Sequence, residues 1–236
     1  TGSSVDPLGG EYLRSHTDLT VKVPGGKLEV ERVYIRNRWF LDPFRTKMID
    51  PGAARLEFKY SDGVLEEILR NQVVYEKKAD GLWVHRDIYS IVETPDGYRW
   101  EDKFARYENY DASGRPTESG DAGGSIVKAV YESQENGRLM GYADRNGSQV
   151  IWFSYNADGL ISAVYDAENR RVEYEYENGL PVRVTDVLGN ATLFEYDDQC
   201  RLLRSIDPSG DETEISYDRG GRALSVTDGT GKGKHF

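Results

Sequence analysis

Apolar and polar residues alternate along most of the chain, and short polar turns interrupt the alternation. Val172, Tyr174 and Tyr176 alternate with charged residues just before a turn, so a period of two places them on one face of a strand. With such flanks, Asp-Gly and Asn-Gly pairs predict tight hairpins, because they tolerate positive φ. These pairs begin at Asp62, Asp80, Asp96, Asn136, Asn146, Asp158, Asn178 and Asp228. The pattern predicts an all-β protein of consecutive antiparallel hairpins with a half-buried sheet.

One segment, residues 64–78, fits two structures. Leu65, Ile68 and Val73 have the spacing of one helix face. Residues 70–72 would also suit a turn between two strands, so the pattern favours a hairpin and keeps a helix as the alternative.

Two columns of identical residues recur in step along the second half of the chain, which is the signature of an internal repeat. The period is 20 to 22 residues, and each unit is predicted to hold two short strands and two turns. Each Asp is expected to cap its own turn, with a Gly supplying the left-handed residue that follows. Each Tyr is expected to bury its ring against the next hairpin and to keep its hydroxyl at a wet edge. The columns are Tyr155, Tyr176, Tyr196 and Tyr217, and Asp144, Asp166, Asp186, Asp207 and Asp228.

Composition and charge narrow the function classes. The 236 residues include 41 acidic and 30 basic side chains, a formal net charge of −11, which disfavours nucleic acid or an anionic membrane as partner. Apolar stretches are far shorter than the roughly 20 residues of a membrane-spanning helix, so no membrane insertion is expected. The lone Cys200 excludes an intrachain disulfide and is expected to lie part-buried in a strand. Because the sequence does not start with Met, we expect it to be a segment of a longer protein.

Candidate chemistry is sparse, and no catalytic, cofactor-binding or metal-binding residue is predicted. The acidic pairs Glu66-Glu67, Asp197-Asp198 and Glu175/Glu177 are glycosidase candidates by residue type only, and a solvated face or turn capping explains them better. His16 has Ser15 and Thr17 beside it, but neighbouring side chains on a strand point to opposite faces. Three separated histidines and one thiol make a structural zinc site improbable. One Asp per unit leaves calcium short of its six to eight oxygens.

Aromatic residues offer a binding alternative. The tryptophans and their neighbours could stack on sugars if they faced outward, whereas core packing predicts that most are buried. These residues are Trp39-Phe40, Trp83, Trp100 and Trp152-Phe153.

The segment from Tyr110 to Lys232 resembles the YD repeats of Rhs proteins. The resemblance rests on Tyr-Asp pairs, a Gly-Arg-Leu triplet at 137–139 and a Thr-Asp-x-x-Gly-Asn stretch at 185–190. The Tyr-Asp pairs lie at 110–111, 196–197 and 217–218. The opening, residues 10–34, resembles the segment that introduces these repeats in Rhs polymorphic toxins. Asp207-Pro208-Ser209-Gly210 is similar to the closing motif of the family but occupies a regular repeat position, so it is interpreted as a turn.

The resemblance implies a curved strip of hairpins that forms part of a β-shell around a C-terminal toxin domain. It implies a non-enzymatic, secreted or cell-surface bacterial protein without cofactor, whose partners are the missing repeats and the toxin domain of the same chain. The alternative is a cell-surface adhesin that binds a glycan or a protein. Open strand edges would also permit self-association.

The expected architecture has two parts in one continuous curved sheet. Residues 1–109 form an N-terminal hairpin region, and residues 110–236 form the YD repeats, the last of them truncated. Residues 111–124, rich in Gly, Ser and Asp, are expected to form a loop or seam.

Overall fold

A computed structural model describes residues 2–6, 9–42, 44, 46–47, 55–124, 126–133 and 137–236. Within these ranges the protein is all-β, as predicted, and antiparallel hairpins follow one another along the chain. None of the described residues belongs to a helix that is long and apolar enough to cross a bilayer. The predicted turn at Asn136 lies outside the described residues.

Twenty-four strands are formed by the described residues. They are β1 (Gly2–Val5), β2 (Tyr12–Val23), β3 (Gly26–Ile35), β4 (Arg38–Asp42), β5 (Thr46–Lys47), β6 (Glu57–Ser61), β7 (Val64–Arg70), β8 (Val73–Ala79), β9 (Leu82–His85), β10 (Tyr89–Thr94), β11 (Gly97–Asp102), β12 (Tyr107–Asp111), β13 (Pro116–Gly120), β14 (Ile126–Tyr131), β15 (Leu139–Ala143), β16 (Gln149–Tyr155), β17 (Ile161–Asp166), β18 (Arg171–Glu177), β19 (Leu180–Thr185), β20 (Ala191–Tyr196), β21 (Leu202–Ile206), β22 (Glu212–Tyr217), β23 (Ala223–Asp228) and β24 (Gly233–His235).

The strands belong to two sheets rather than to the one continuous sheet that was expected. Strands β1 to β5 form a short sheet, and β6 to β24 pair in chain order in a long antiparallel sheet of 19 strands. Among the described residues no register joins β24 back to β6, so the long sheet is not closed into a barrel. The long sheet contains all the repeat hairpins.

The segment for which the helix was the less favoured alternative is a hairpin. Strands β7 and β8 pair through Arg70 and Val73, and Asn71 and Gln72 form the turn with φ of 52° and 66°. The expected loop at residues 111–124 is wrong in part, because β13 crosses it. Pairing of β13 with both β12 and β14 satisfies its backbone, and two turns flank it.

A β-bulge accompanies a tyrosine that is the last or the next-to-last residue of its strand. The register shifts between the tyrosine and the residue before it at six places, which the alternation of residue types did not predict. A bulge inserts an unpaired residue and bends its strand, so the bend recurs with the repeat. The tyrosines are Tyr60, Tyr110, Tyr131, Tyr176, Tyr196 and Tyr217.

The chain divides into two compact units. Unit 1 comprises Thr1–Thr20, Glu29–Asp42 and Phe153–Phe236, and unit 2 comprises Val21–Leu28 and Pro43–Trp152. Each unit has its own buried apolar residues. In unit 1, Trp39 of the short sheet packs on Phe194 of the long sheet, with ring centroids 5.1 Å apart. The core of unit 2 is the cluster Leu56, Ile68, Tyr75, Trp83, Ile91, Trp100 and Tyr110.

Candidate functional site

Ten turns among the described residues of the long sheet share one hydrogen-bonded structure, for which the turn at Asp197 is an example. One oxygen of Asp197 accepts hydrogen bonds from the backbone N–H groups of Gln199 and Arg201, both at 2.9 Å. The other accepts from Nε of Arg201 at 2.6 Å, and the Cys200 N–H donates to the Asp197 carbonyl. This is the predicted capping of a turn by its own Asp.

In the repeats both kinds of turn that the sequence suggested can have this structure, although the turn at Asn178 and Gly179 is a two-residue hairpin turn with φ of 50° and 79°. In each of the ten turns a side-chain oxygen accepts from the backbone N–H groups two and four residues later. The capping carboxylates are therefore committed to the chain's own backbone. The capping residues are Asp102, Asp111, Asp144, Asn156, Asp166, Asp186, Asp197, Asp207, Asp218 and Asp228.

The caps shift the acidity of their carboxyl groups. Burial opposes ionisation of Asp197, but the Arg201 N–H and guanidinium and the Gln199 N–H outweigh it and hold its pKa below the ordinary value. The same balance of burial against hydrogen bonds lowers the pKa values of Asp102, Asp111 and Asp186. Among the described residues no three His, Cys, Asp or Glu side chains come together as metal ligands would.

The left-handed position of the Asp197 turn is filled by Cys200, where most other turns have Gly. Cys200 has a φ of 62° and is exposed, so the expectation of a part-buried strand residue is wrong. It sits three residues after the capping Asp, and the turn rather than strand packing determines its environment.

The tyrosine column, Tyr131, Tyr155, Tyr176, Tyr196 and Tyr217, fastens each hairpin to the preceding one. Four of its hydroxyls donate to the carbonyl oxygen 15 residues earlier, at 2.6 to 2.9 Å. The predicted ladder is therefore present, but the expected wet hydroxyl is wrong, because the group is part-buried and bonded to protein. Burial raises the pKa of these hydroxyls at Tyr176, Tyr196 and Tyr217. The acceptors are the carbonyls of Pro116, Ile161, Pro181 and Leu202.

In unit 1 the short sheet is attached to the repeats by a buried ion pair. Nε and Nη2 of Arg32 donate to Asp18, both at 3.1 Å at closest, and the Tyr174 hydroxyl donates to the same carboxylate at 2.7 Å. The guanidinium carbon of Arg32 lies 5.2 Å from the ring centroids of both Trp39 and Phe194. Hydrogen bonds and aromatic faces take the place of water around this buried pair.

Two further hydrogen bonds join the same surfaces. Nε1 of Trp39 donates to the Tyr196 hydroxyl at 2.8 Å, and the Leu202 N–H donates to the Tyr34 hydroxyl at 2.9 Å. Tyr196 thus belongs both to the tyrosine column and to the contact with the short sheet. The sequence did not single out Asp18, Arg32 or Tyr34, because partners more than 150 residues apart leave no local pattern.

The carboxylates considered for catalysis are not brought together. Glu67 pairs with Lys59 at 2.8 Å and Glu175 with Arg183 at 3.4 Å, while Asp197 caps its turn. Glu66, Asp198 and Glu177 are exposed. These contacts match the expectation of a solvated face or turn capping.

His16 lies at the edge of the buried ion pair. Its Nε2 is 4.0 Å from Oδ1 of Asp18. Burial is the main cause that lowers the pKa of His16, and the attraction of Asp18 opposes it. The surroundings are therefore those of a structural residue.

Most of the aromatic candidates for glycan binding are inside the protein. Trp39, Trp83, Trp100 and Phe153 are buried, and Phe40 and Trp152 are half-buried. A stacking platform for sugars needs exposed faces, so this arrangement does not favour the adhesin.

The repeating hairpins, capped turns and tyrosine column define a β-repeat protein, and sequence comparison supplies the family. The RHS repeat family model matches residues 155–191 and 176–212. Over 154 residues the chain is 33% identical to "Probable deoxyribonuclease RhsB" of Dickeya dadantii (strain 3937), which covers 47% of this chain and 11% of that protein. Residues 155–212 therefore match the RHS repeat, and the chain is similar to an Rhs protein.

Solved structures of toxin complexes are also similar to this chain. One is the crystal structure of TcdB2-TccC3-Cdc42, at 14% identity and a TM-score of 0.38, covering 98% of this chain and 14% of that one. Another is the Tc holotoxin pore of Photorhabdus luminescens, at 14% identity and a TM-score of 0.25, covering 85% and 14%. The chain thus spans between a tenth and a seventh of the proteins that it matches.

Proposed function

We propose that this chain is a non-enzymatic wall segment of a secreted bacterial Rhs protein, and that the wall encloses or presents a C-terminal toxin domain of the same polypeptide. The match to the RHS repeat supports a structural role for this segment. Residues 1–109 would introduce the wall, and residues 110–236 would form its repeats.

The observation that carries the proposal is the commitment of the repeated polar groups to backbone. Side-chain oxygens cap the turns, and hydroxyls of the tyrosine column bind carbonyls of the preceding hairpin. A group that already accepts two or three hydrogen bonds is poorly placed to bind substrate, and it rigidifies the surface that it belongs to. A rigid surface whose polar groups are already bonded suits the wall of a shell that encloses another domain.

The relative named as a probable deoxyribonuclease is about nine times longer than the stretch that this chain covers. A nuclease or another toxin would accordingly lie in a part of the polypeptide other than the residues described. The partners of the wall would be further repeats and this cargo.

Limited proteolysis of the parent protein tests the enclosure. We expect the region that follows the repeats to resist proteinase K in the wild type and to be cleaved faster when Tyr196→Ala loosens the wall. Glu195→Ala is the matched control, because its side chain is exposed on the same strand. Equal cleavage of that region in the wild type and as an isolated domain would exclude enclosure.

A glycan array separates the wall from the adhesin. The wall predicts no saturable glycan binding by the intact chain. Binding that is lost on Trp152→Ala, with the fold retained, would replace the wall by the adhesin.

A further inference from the structure

Strands β6 to β12 of unit 2, here called the rolled strands, curl until their two ends touch. The Leu56 N–H, just before β6, donates to the Gly114 carbonyl just after β12, at 2.8 Å. The rings of Phe58 on β6 and Tyr98 on β11 have centroids 5.0 Å apart, although four strands separate them along the sheet. The interior of the roll is filled by the apolar core of unit 2.

A buried ion pair and a tyrosine bonded to it lie in that apolar interior. Arg70, Glu108 and Tyr110 are here called the charged group. Nη2 of Arg70, at the end of β7, is 2.9 Å from Oε1 of Glu108 on β12, and Nε of Arg70 donates to the Tyr110 hydroxyl at 2.9 Å. Tyr110 in turn donates to the other oxygen of Glu108. The side chains of Arg70 and Glu108 are only 14% and 11% exposed.

Aromatic side chains complete the surroundings of this group. The guanidinium carbon of Arg70 lies 3.8 Å from the ring centroid of Trp100, whose Nε1 donates to the Tyr75 hydroxyl at 2.8 Å. The group therefore links β7 and β8 on one side of the roll with β11 and β12 on the other.

Both partners on β12 depart from the repeat pattern. Two residues before the tyrosine of each later unit the chain has Ala or a larger apolar residue, and Glu108 is the acid in this column. The hydroxyl of Tyr110 is bonded to Glu108 and Arg70 rather than to a carbonyl 15 residues earlier. The other members of the column are Ala129, Phe153, Tyr174, Phe194 and Ile215.

Going beyond the wall function, we propose that Arg70 and Glu108 are the pair that sets the register of the rolled strands. Sliding one side of the roll by two residues keeps every apolar side chain on the buried face, so alternation alone cannot reject the slipped structure. The slip would leave a buried guanidinium and a buried carboxylate without partners, which is strongly unfavourable. The pair thus selects one packing among several that the apolar core permits.

Stability and register respond differently to mutation, which makes the proposal testable. Replacing both partners of a buried ion pair by apolar residues often leaves the stability unchanged, whereas removing only one partner lowers it strongly. If the charged group sets the register, a variant with apolar residues in its place should still fold. It should, however, lose the hydrogen bond between the Leu56 N–H and the Gly114 carbonyl.

The experiment uses the full chain and two readouts, urea unfolding and hydrogen exchange of the Leu56 amide. We expect Arg70→Met or Glu108→Leu alone to raise the unfolding constant by more than about a hundredfold. The triple variant Arg70→Met/Glu108→Leu/Tyr110→Phe should stay within about tenfold of the wild type in stability. In this variant the Leu56 amide should exchange at least about tenfold faster relative to the Ile215 amide of unit 1.

The control is Ile68→Val, which trims the same core without touching the charged group. It should lower stability modestly and leave the ratio of Leu56 to Ile215 exchange unchanged. A triple variant with wild-type stability and wild-type Leu56 exchange would overturn the proposal, because packing alone would then set the register. A triple variant that is as unstable as the single variants, or that does not fold, would overturn it too.

Discussion

The hydroxyl of Tyr196 donates a hydrogen bond to the carbonyl oxygen of Pro181 at 2.7 Å and at the same time accepts one from Nε1 of Trp39. One side chain therefore joins two successive hairpins and the short sheet. Its ring and its hydroxyl contribute separately, and substitutions can distinguish them.

We expect Tyr196→Phe to destabilise the protein by about 1–3 kcal/mol, because it leaves a part-buried carbonyl and an indole N–H without their partner. Tyr196→Ala also removes the ring and should cost about 3–5 kcal/mol. Glu195→Ala, at an exposed ion pair with Arg204, should cost less than about 1 kcal/mol. Urea denaturation of the three variants checks this order, and equal effects of Tyr196→Ala and Glu195→Ala would contradict the ladder.

The capped turns make stability depend on pH in the acid range. The pKa of Asp197 is lowered on folding, because hydrogen bonds from Arg201 and Gln199 outweigh the burial that opposes ionisation. The stabilisation is therefore complete above the unfolded value of about 3.9 and is lost as the pH falls through the lower folded pKa.

Asp197→Asn should destabilise the protein at pH 7, and the difference from the wild type should shrink as the pH falls below about 4. Denaturation midpoints measured between pH 7 and pH 3 test this expectation. Glu66→Gln, at an exposed strand position, is the control and should show a difference that does not depend on pH in this way. A constant difference for Asp197→Asn would argue against the ionised cap.

Cys200 fills a position that favours Gly. Because a left-handed φ strains an L-residue, Cys200→Gly should stabilise the protein by a few tenths to about 1 kcal/mol once the extra entropy of unfolded Gly is subtracted. Asn169→Gly, at the same turn position with φ of 59°, should gain less, since Asn tolerates this conformation. Thermal unfolding compares the two, and a larger gain at Asn169 would contradict the strain.

The reactivity of Cys200 tests whether its turn is exposed to solvent. The Cys200 thiol should react with a water-soluble disulfide reagent in the native protein, without a need for denaturant. Protection until unfolding would show that the turn is covered.

Two glycines with positive φ should differ sharply in their tolerance of Ala. A Cβ on Gly141 would lie 1.9 Å from the carbonyl oxygen of Ile151, whereas nothing lies within 4 Å of a Cβ on Gly147. Gly147→Ala should cost about 1–2 kcal/mol from backbone strain alone. Gly141→Ala should cost clearly more, because paired backbone must also move. Similar unfolding midpoints for the two variants would contradict this.

Local patterns predicted most of the strands. Alternation over Val172, Tyr174 and Tyr176 placed the buried face, and the Asp and Tyr columns located the turns and the ladder, because each depends on residues close in sequence. A helix remained the alternative to the hairpin at Asn71, since helix and strand periods overlap in a short apolar segment.

Contacts between distant residues could not be predicted in this way. The attachment of the short sheet through Asp18 and Tyr174, and the charged group at Arg70 and Glu108, join residues that no local period relates. The bulges were not predicted for another reason. An extra residue in a strand changes the pairing register but leaves no distinctive residue type in the sequence. Cys200 was misplaced because its residue type suggested burial in a strand, whereas it lies in the turn that Asp197 caps.

The hydrogen bonds of the tyrosine column also set an order of events during synthesis. Tyr176, Tyr196 and Tyr217 each bond a carbonyl 15 residues earlier. We therefore expect a hairpin to be fastened soon after the next one has left the ribosome, because the loop that closes is short. The short sheet is made before the repeats, and its partners at Tyr174, Tyr196 and Leu202 follow more than 150 residues later. During synthesis the apolar surface of the short sheet therefore stays uncovered until these partners have been made. The strands of the short sheet are then among the last to form their native contacts.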